Sequence, residues 1–344
     1  MKRNCSFISH LLMLPLVLLA SFTASAEITN SGTAAAQFLK IEMGSRAIGM
    51  GGAYVALATD VSSIYWNPAG LAYVGPHGAV GFMHSDWLAD TNFDFFAAII
   101  RAGNVGTFGL SFTALSMPDM KVRDEFEPEG TGEYFSAVDM AIGLSYARSF
   151  TDRFSLGITS KYIHQQIWHM TAASLAFDLG ILFRTDLDWL VLGISVSNFG
   201  SKMQYSGKDI FVNYDFDPDQ WGDNENIFAN LQTDQWNLPL LFRFGIGMEI
   251  LRSEMNQFTA SIEARHPNDN NESLSFGLEY GFKRRFFLRS GYQALYEDQS
   301  EKGFTFGAGF VYYFTPAIPL YLDYAYADWG RLTNVNRFSF EIHF

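Results

Sequence analysis

The stretch LSFGLEYGF, residues 274–282, alternates strictly between two kinds of side chain. Every second residue, from Leu274 to Phe282, is large and apolar, and the residues between them are Ser275, Gly277, Glu279 and Gly281. A period of two predicts a β-strand whose two faces meet different surroundings. Because the same alternation begins at Val138, Leu240 and Phe304, we expect the chain to be built from strands.

Alternation alone fits a soluble sandwich as well as a transmembrane barrel. The length of the segments, about 10 to 13 residues, suits a tilted crossing of the bilayer better than a soluble sheet. Their apolar face is almost free of charge, as contact with lipid requires. Leu278 is therefore expected to face lipid and Gly277 the lumen, where serine should be tolerated. The opposite face has charges of both signs, which suit a polar lumen better than a dry core: Asp178, Arg184, Arg243, Glu249, Glu263, Arg265, Glu279 and Arg289.

The spacing of these segments predicts an all-β fold, a transmembrane antiparallel β-barrel of about 14 strands. The connections after odd-numbered strands are mostly long, and those after even-numbered strands are tight turns. Outer-membrane barrels combine long external loops with short periplasmic turns, so both termini are expected on the periplasmic side. The strands are predicted to start near residues 78, 92, 105, 136, 153, 172, 189, 239, 256, 272, 286, 302, 319 and 335.

Aromatic residues support a membrane location. The last strand closes on Phe344, which is similar to the signal that the barrel-assembly machinery reads. Trp residues at strand ends predict two aromatic belts at headgroup depth, with Trp189 on the inner side and the others on the outer side: Trp87, Trp168, Trp236 and Trp329.

Residues 1–26 have the pattern of a secretory signal peptide. Lys2 and Arg3 precede an apolar run, and Ala24-Ser25-Ala26 is a small-residue cleavage site. Removing the two cations changes the formal net charge from −13 to −15. Nucleic acid is therefore an unsuitable partner, since its recognition requires Lys and Arg against phosphate. Cys5, the only cysteine, lies before the cleavage site, which excludes disulfides and thiol chemistry from the mature chain.

The stretch GSRAIGMGGAYVALATDVSSIYWNPAGLA, residues 44–72, does not alternate. It precedes the first strand, so we expect it to begin in the periplasm, and a fourteen-stranded barrel leaves a lumen that needs filling. We therefore interpret residues 27–76 as an N-terminal hatch or plug and residues 77–344 as the barrel. A phosphate-binding loop is disfavoured, because neither a preceding strand nor a following lysine accompanies the glycines.

Residues 34–72, which include this stretch, resemble the N-terminal signature of the PorV/PorQ family of outer-membrane proteins, within the FadL-like (OMPP1) superfamily. The resemblance is dense over about forty residues, whereas the later strands match only in pattern. It implies a fourteen-stranded barrel with a hatch. The matching residues of the hatch motif are Gly44, Arg46, Gly49, Gly51, Gly52, Asp60, Asn67, Pro68 and Gly70.

The resemblance leaves two functions open. PorV-like members act in type IX secretion, where they receive exported proteins at the cell surface, and their partners would be secretion components and exported proteins. FadL proteins take up hydrophobic small molecules such as long-chain fatty acids. We favour the first function. The expected location is the outer membrane of a Gram-negative-type bacterium, after insertion by the assembly machinery.

The sequence has no catalytic constellation and predicts neither an enzyme nor a cofactor. It contains neither a Gly-x-Ser-x-Gly motif nor a cysteine with a histidine partner. Asp215, Asp217 and Asp219 resemble the start of a calcium loop, but Gln220 and Asn226 stand where glycine and glutamate are needed, so the metal candidate is weak. The same external loop has aromatic residues typical of a partner or ligand surface: Phe211, Tyr214, Phe216, Trp221 and Phe228.

Overall fold

The computed structural model of the chain describes residues 31–215, 227–297 and 300–344. Fourteen antiparallel strands in it form one closed barrel, which confirms the predicted fold class. Each observed start lies within two residues of the predicted one. The strands are β1 Gly78–Asp86, β2 Asn92–Arg101, β3 Thr107–Ser116, β4 Ala137–Ser149, β5 Phe154–Ile167, β6 Met170–Arg184, β7 Leu190–Gly200, β8 Leu241–Arg252, β9 Asn256–Pro267, β10 Ser273–Phe282, β11 Phe286–Leu295, β12 Phe304–Thr315, β13 Ile318–Asp328 and β14 Asn334–His343.

The barrel closes where its last strand pairs with its first. Strand β14 runs antiparallel to β1, with Phe340 opposite Phe82. Phe344 extends this seam, because its N–H donates to the carbonyl of Gly78 at 3.0 Å and its own carbonyl accepts from His77 and Gly78. The C-terminal residue therefore completes the hydrogen bonds of the closing edge.

The two faces of each strand meet the surroundings that the alternation predicts. In β10, Leu278 on the outside is 47% exposed, whereas its neighbour Glu279 on the inside is 2% exposed. Outward side chains such as Leu144 and Leu288 are among the most exposed apolar groups. The apolar exterior and the polar interior are those of a barrel in lipid.

Residues 31–77, here called the N-terminal segment, fold into short helical pieces inside the barrel. They are the α-helices α1 Ser45–Gly49 and α2 Ser63–Trp66 and the 3₁₀ helices Gln37–Lys40 and Pro68–Tyr73. The other 3₁₀ helices, Leu88–Asp90, Lys208–Ile210 and Gly330–Leu332, lie in connections. Within the described residues no helix combines the length and apolar character needed to cross a membrane.

The direction of this segment differs from the expectation that it begins in the periplasm. The Ala35 N–H donates to Asn237, which lies in the long connection after β7, so the described part of the segment starts at the long-loop end. The hydroxyl of Ser155, near the start of β5, donates to the carbonyl of Ala69 at the short-turn end. The segment therefore crosses the lumen from one end to the other before it enters β1.

Small hairpins project at the long-loop end. One pairs Met120–Lys121 with Tyr134–Phe135, and another pairs Phe211–Tyr214 with Ile227–Asn230. A two-residue strand, Ser206–Gly207, extends the sheet beside β6. These hairpins belong to the two longest connections, which follow β3 and β7.

The structure contradicts the expected tolerance of serine at Gly277. A side-chain carbon added there would meet the backbone carbonyl of Met50 and lie 2.8 Å from its Cβ. The lumen face is therefore packed against the N-terminal segment, where a large-for-small exchange produces a clash. Ser275 on the same face offers a better comparison, because its buried hydroxyl has no hydrogen-bond partner in the described structure.

We expect Leu278→Arg to lower the free energy of unfolding by about 2–4 kcal/mol, because a guanidinium would face lipid near the midplane. Ser275→Ala, three residues away on the lumen face, should be nearly neutral. Urea titration of barrels refolded into lipid vesicles measures both. Equal losses at the two positions would show that the faces are assigned wrongly.

Candidate functional site

The N-terminal segment is bound to the wall near the long-loop end through Glu42. This carboxylate is 6% exposed and accepts hydrogen bonds from the Arg265 guanidinium of β9 and from Gln293 Nε2 of β11, the latter at 2.6 Å. Lys302 Nζ, in the loop before β12, lies 3.9 Å away. Burial by itself raises the pKa of Glu42, but Arg265 and Lys302 outweigh it and lower that pKa from 4.5 to about 2. Glu42 therefore stays ionised across the physiological range.

Arg265 also holds the glycine turn that follows helix α1. Its Nη2 donates to the carbonyl of Gly52 at 2.6 Å, and the N–H of Gly51 donates to Thr305 Oγ1 of β12 at 3.0 Å. Gly51 and Gly52 both have a φ of +65°, which side-chain-bearing residues rarely adopt. A Cβ on Gly51 would lie 2.5 Å from the Phe276 carbonyl oxygen, so only glycine fits this close approach to the wall.

A second wall carboxylate, Glu263, binds the backbone of the segment directly. Its Oε2 accepts from the N–H groups of Tyr54 and Val55, each at 2.8 Å. Its Oε1 accepts from Arg265 Nε at 3.0 Å, and the Nε of Arg243 lies 3.7 Å away. The Glu263 side chain is fully buried, and each of its oxygens has at least one partner.

A chain of alternating charges continues toward the middle of the lumen. Arg46 of α1 donates to both oxygens of Glu279 at 2.9 and 2.7 Å, a bidentate pair. Arg289 donates to the same carboxylate at 2.7 Å and to Asp323 at 2.5 Å. This network joins the segment to strands β10, β11 and β13, and of the predicted lumen charges Arg243, Glu263, Arg265, Glu279 and Arg289 form ion pairs with one another or with the segment.

The remaining polar residues of the hatch motif shape the segment itself. Asp60 accepts from the Tyr54 hydroxyl and from the N–H of Ser62, the latter at 3.0 Å. Asn67 Nδ2 donates to the carbonyls of Val55 and Ile181, both at 2.9 Å, so one side chain joins two parts of the segment to β6.

Asn67 also caps the last helical piece. Its Oδ1 accepts from the N–H of Ala69 at 3.1 Å, and Pro68 is the first residue of the 3₁₀ helix Pro68–Tyr73. Gly70 packs against the carbonyl of Ala58 so closely that a Cβ would clash. Gly49 has a similar constraint, because a Cβ there would lie 3.0 Å from the Cα of Gly307. Gly44 has a φ of +84°, and its N–H donates to Met83 Sδ at 3.0 Å.

Arginine stacking adds a further link between the wall and the segment. The Arg243 guanidinium of β8 lies 4.8 Å from the ring centre of Tyr65 and 5.2 Å from that of Trp66. The Trp66 indole N–H donates to the carbonyl of Met43 at 2.7 Å. Cation–π contacts of this kind are stronger in a desolvated site than at an exposed one.

Three of the external-loop candidates, Phe211, Tyr214 and Phe228, lie in the hairpin after β7. Phe211, Tyr214 and Phe228 are 52%, 54% and 83% exposed. Phe216 and Trp221 lie outside the described residues, as do Asp217 and Asp219 of the weak calcium candidate. Across residues 31–215, 227–297 and 300–344, no group of three or more His, Cys, Asp or Glu side chains could hold a metal ion.

Sequence reasoning missed Glu42. The residue is outside the glycine-rich motif, and its partner Arg265 is 223 positions away. One signal was available, because Glu42 is the only acidic residue between positions 31 and 59. An isolated acid in an apolar segment that enters a charged lumen needs a cationic partner.

We expect Gly51→Ala to lower the free energy of unfolding by about 1–3 kcal/mol, since the added methyl group would overlap the wall backbone. The matched control is Gly32→Ala, because Gly32 also has a positive φ but has nothing within 4 Å of the added carbon. Urea titration in vesicles measures both variants. A loss at position 32 as large as that at position 51 would assign the effect to backbone strain alone.

Comparison with known proteins agrees with this geometry. Residues 24–216, more than half of the chain, match the family model described as type IX secretion system protein PorV. A search of curated proteins found no match. Among solved structures, the Ralstonia pickettii toluene transporter TbuX is similar with a TM-score of 0.54 and 11% identity, covering 88% of this chain and 98% of the other.

Two further structures show the same fold at equally low identity. The Pseudomonas putida toluene transporter TodX has a TM-score of 0.53 and 11% identity, covering 87% of this chain and 96% of its own. A Pseudomonas aeruginosa FadL homologue has a TM-score of 0.50 and 11% identity, covering 87% and 97%. The chain belongs to the PorV family of type IX secretion system outer-membrane proteins and has a FadL-like barrel fold.

Proposed function

We propose that this barrel receives exported proteins at the cell surface during type IX secretion, and that its lumen is closed by the N-terminal segment acting as a fixed plug. The match to the PorV family supports the secretion function, and the set of buried ion pairs between this segment and the wall supports the plug. Glu42 with Arg265, and Arg46 with Glu279, bind it at two depths. A segment held in this way blocks passage through the lumen.

The continuity of the wall supports the same function. In the described strands each neighbour pairs with the next around the barrel, and the irregularities are local bulges such as that between Phe177 and Leu179. A transporter of hydrophobic molecules needs an apolar route that leaves the lumen through the wall or past the plug. The continuous hydrogen bonds and the charged interior both disfavour such a route.

The long-loop end supplies a surface for a protein partner. Its two longest connections form hairpins with exposed aromatic side chains, including Phe126 at 91% and Phe228 at 83% exposure. Exposed apolar groups of this size are typical of protein-binding surfaces. Phe211, Tyr214, Phe216, Trp221 and Phe228 remain our proposal for the partner loop.

Export and assembly complete the proposal. We propose that residues 1–26 are a signal peptide, that residues 27–76 form the hatch and that residues 77–344 form the barrel. The backbone of Phe344 bonds to Gly78 across the seam, which supports a role for this residue in barrel assembly. Its side chain is 42% exposed, so the assembly machinery can reach it.

We expect affinity capture from native outer membranes to recover secretion components or exported proteins. The double variant Phe211→Ser/Phe228→Ser should reduce this recovery by about tenfold. Aromatic hot-spot residues in protein interfaces each contribute on the order of 1 kcal/mol or more to the binding free energy. Met255→Ser, 52% exposed at the short-turn end, is the matched control and should bind normally.

A fatty-acid uptake assay on a deletion strain accompanies the capture. Normal uptake together with captured protein partners supports the secretion function. Loss of uptake without any protein partner would overturn the proposal in favour of transport.

We expect conductance in planar bilayers to be low at pH 7 and to rise as pH falls from 4.5 toward 2. The pKa of Glu42 is lower in the folded protein than its ordinary value, so its ion pairs stabilise the plug fully above pH 4.5 and are lost as the carboxylate is protonated. The Glu42→Gln variant should already conduct at pH 7. Its conductance should rise less than that of the unaltered protein as the pH falls. Glu272→Gln, an exposed residue in the loop after β9, should behave like the unaltered protein.

Deletion of residues 44–57 tests the plug independently of titration. This change removes the glycine turn and the backbone groups that bind Glu263. The barrel should conduct at every pH if it still assembles, which heat-modifiable migration on a gel verifies. An assembled barrel that stays closed after the deletion would refute the plug.

A further inference from the structure

A pocket of about 520 Å³ opens at the short-turn end of the barrel, away from the secretion surface proposed above. Its floor is the end of the N-terminal segment, at Ala72 and Tyr73, and its sides are the ends of β2, β4 and β6. Two guanidinium groups line it, those of Arg101 and Arg184. The ion-pair network in the lumen does not use any of these residues.

Arg184 is held in place by an aromatic ring. Its guanidinium carbon lies 3.7 Å from the ring centre of Tyr73, a stacking distance. Stacking occupies one face of the planar group and leaves its edge, where the N–H donors are, available to a ligand. In the part of the chain that the structure describes, neither Arg184 nor Arg101 forms an ion pair.

The Tyr73 hydroxyl is a second unexplained group. Its oxygen is buried and has no hydrogen-bond partner within the described structure. A buried hydroxyl without a partner is unfavourable unless a ligand or a water molecule supplies the missing hydrogen bond. Tyr73 lines the pocket, but its enclosed oxygen is out of reach of a ligand there, so the contribution of Tyr73 is the ring that holds Arg184.

The balance of charge and donors selects an anion. Two guanidinium groups face one carboxylate, that of Asp152, and hydroxyl donors come from Ser149 and Thr151. The Thr151 Oγ1 accepts from the Phe154 N–H at 3.0 Å, so its own proton is free to donate elsewhere. Paired arginines with hydroxyl donors are typical of phosphate recognition, since the guanidinium fork matches two phosphate oxygens.

The position of the pocket indicates where the phosphate comes from. Phe150 lines the pocket, is 61% exposed and packs beside Phe154 on the outer surface of the barrel. Exposed aromatics at a strand end lie at headgroup depth, and the short-turn end faces the periplasm. We propose that this pocket binds a phosphate group, presented by a phospholipid headgroup of the inner leaflet of the outer membrane.

The test uses the purified full-length barrel in a neutral detergent and two probes, short-chain phosphatidylglycerol and inorganic phosphate. Calorimetric titration gives the dissociation constant of each. Arg101→Gln/Arg184→Gln should weaken phosphatidylglycerol binding by at least about tenfold, the change expected from losing charge-assisted hydrogen bonds. Tyr73→Phe, which removes only the enclosed hydroxyl and keeps the ring beside Arg184, should bind nearly normally.

The matched control is Arg252→Gln. Arg252 ends β8 at the same end of the barrel, is exposed and does not line the pocket, so this variant should bind like the unaltered protein. Heat-modifiable migration shows that each variant is folded. Short-chain phosphatidylcholine, which keeps the phosphate but lacks net charge, tests the contribution of electrostatics.

The outcomes distinguish the sources. Loss of phosphatidylglycerol binding in the pocket variants, with or without loss of inorganic phosphate binding, supports the lipid site, whereas loss of inorganic phosphate binding alone overturns the lipid source. Equal loss with Arg252→Gln would show that binding depends only on the general charge of this end and would overturn the site. Unchanged binding of both probes to the double variant would also overturn it.

Discussion

Glu263 and Arg265, two residues apart on one strand, bind the N-terminal segment in complementary ways. The carboxylate accepts from two backbone N–H groups of the segment, and the guanidinium donates to the carbonyl of Gly52 and to Glu42. The two side chains also bind each other at 3.0 Å. The rest of the interior depends on this arrangement, because a wide barrel without a bound segment would expose these charges around an open lumen.

Buried charges of this kind give specificity more than net stability. Transfer of an ion from water into the protein costs several kcal/mol. Attraction to its partner offsets a free energy on the order of this cost, so a complete ion pair adds little to the free energy of unfolding. Removing one partner leaves the other uncompensated and costs about 3–5 kcal/mol. The register of the segment against the wall is therefore fixed by which donors meet which acceptors. Arg46 with Glu279 and Asn67 with Ile181 extend this constraint from the middle of the lumen to the short-turn end.

Much of the barrel could be predicted from the sequence because a strand exposes its two faces with a period of two. The alternation around Leu278 predicted both the strand and the face of each residue, and the loop lengths predicted the two ends. The partner of each inward charge could not be predicted in this way. Glu42 and Arg265 meet across 223 positions, a contact that depends on closure of the whole barrel.

Two further differences depend on contacts between the segment and the rest of the chain. Gly277 was expected to tolerate serine because its face is polar, but the Met50 backbone lies against it. The segment was expected to begin in the periplasm because it precedes β1, but Ala35 binds Asn237 at the opposite end. The first expectation considered the polarity of the face but not the plug packed on it, and the second inferred direction from chain order alone. Periodicity identifies the face of a residue and gives no information on what covers that face.

The structural similarity to toluene transporters shows that the barrel fold alone does not determine the function of a protein. At 11% identity and TM-scores of 0.54 and 0.53, the comparison shows a shared fold, and a fold by itself does not fix function. In this chain the wall ladders continue around the barrel and the interior is joined to the segment by ion pairs. The same architecture can therefore carry a closed barrel whose exposed groups are at its two ends. Phe228 lies at the long-loop end and Arg101 and Arg184 lie at the other, so both surfaces that we propose for binding are at the ends of the barrel.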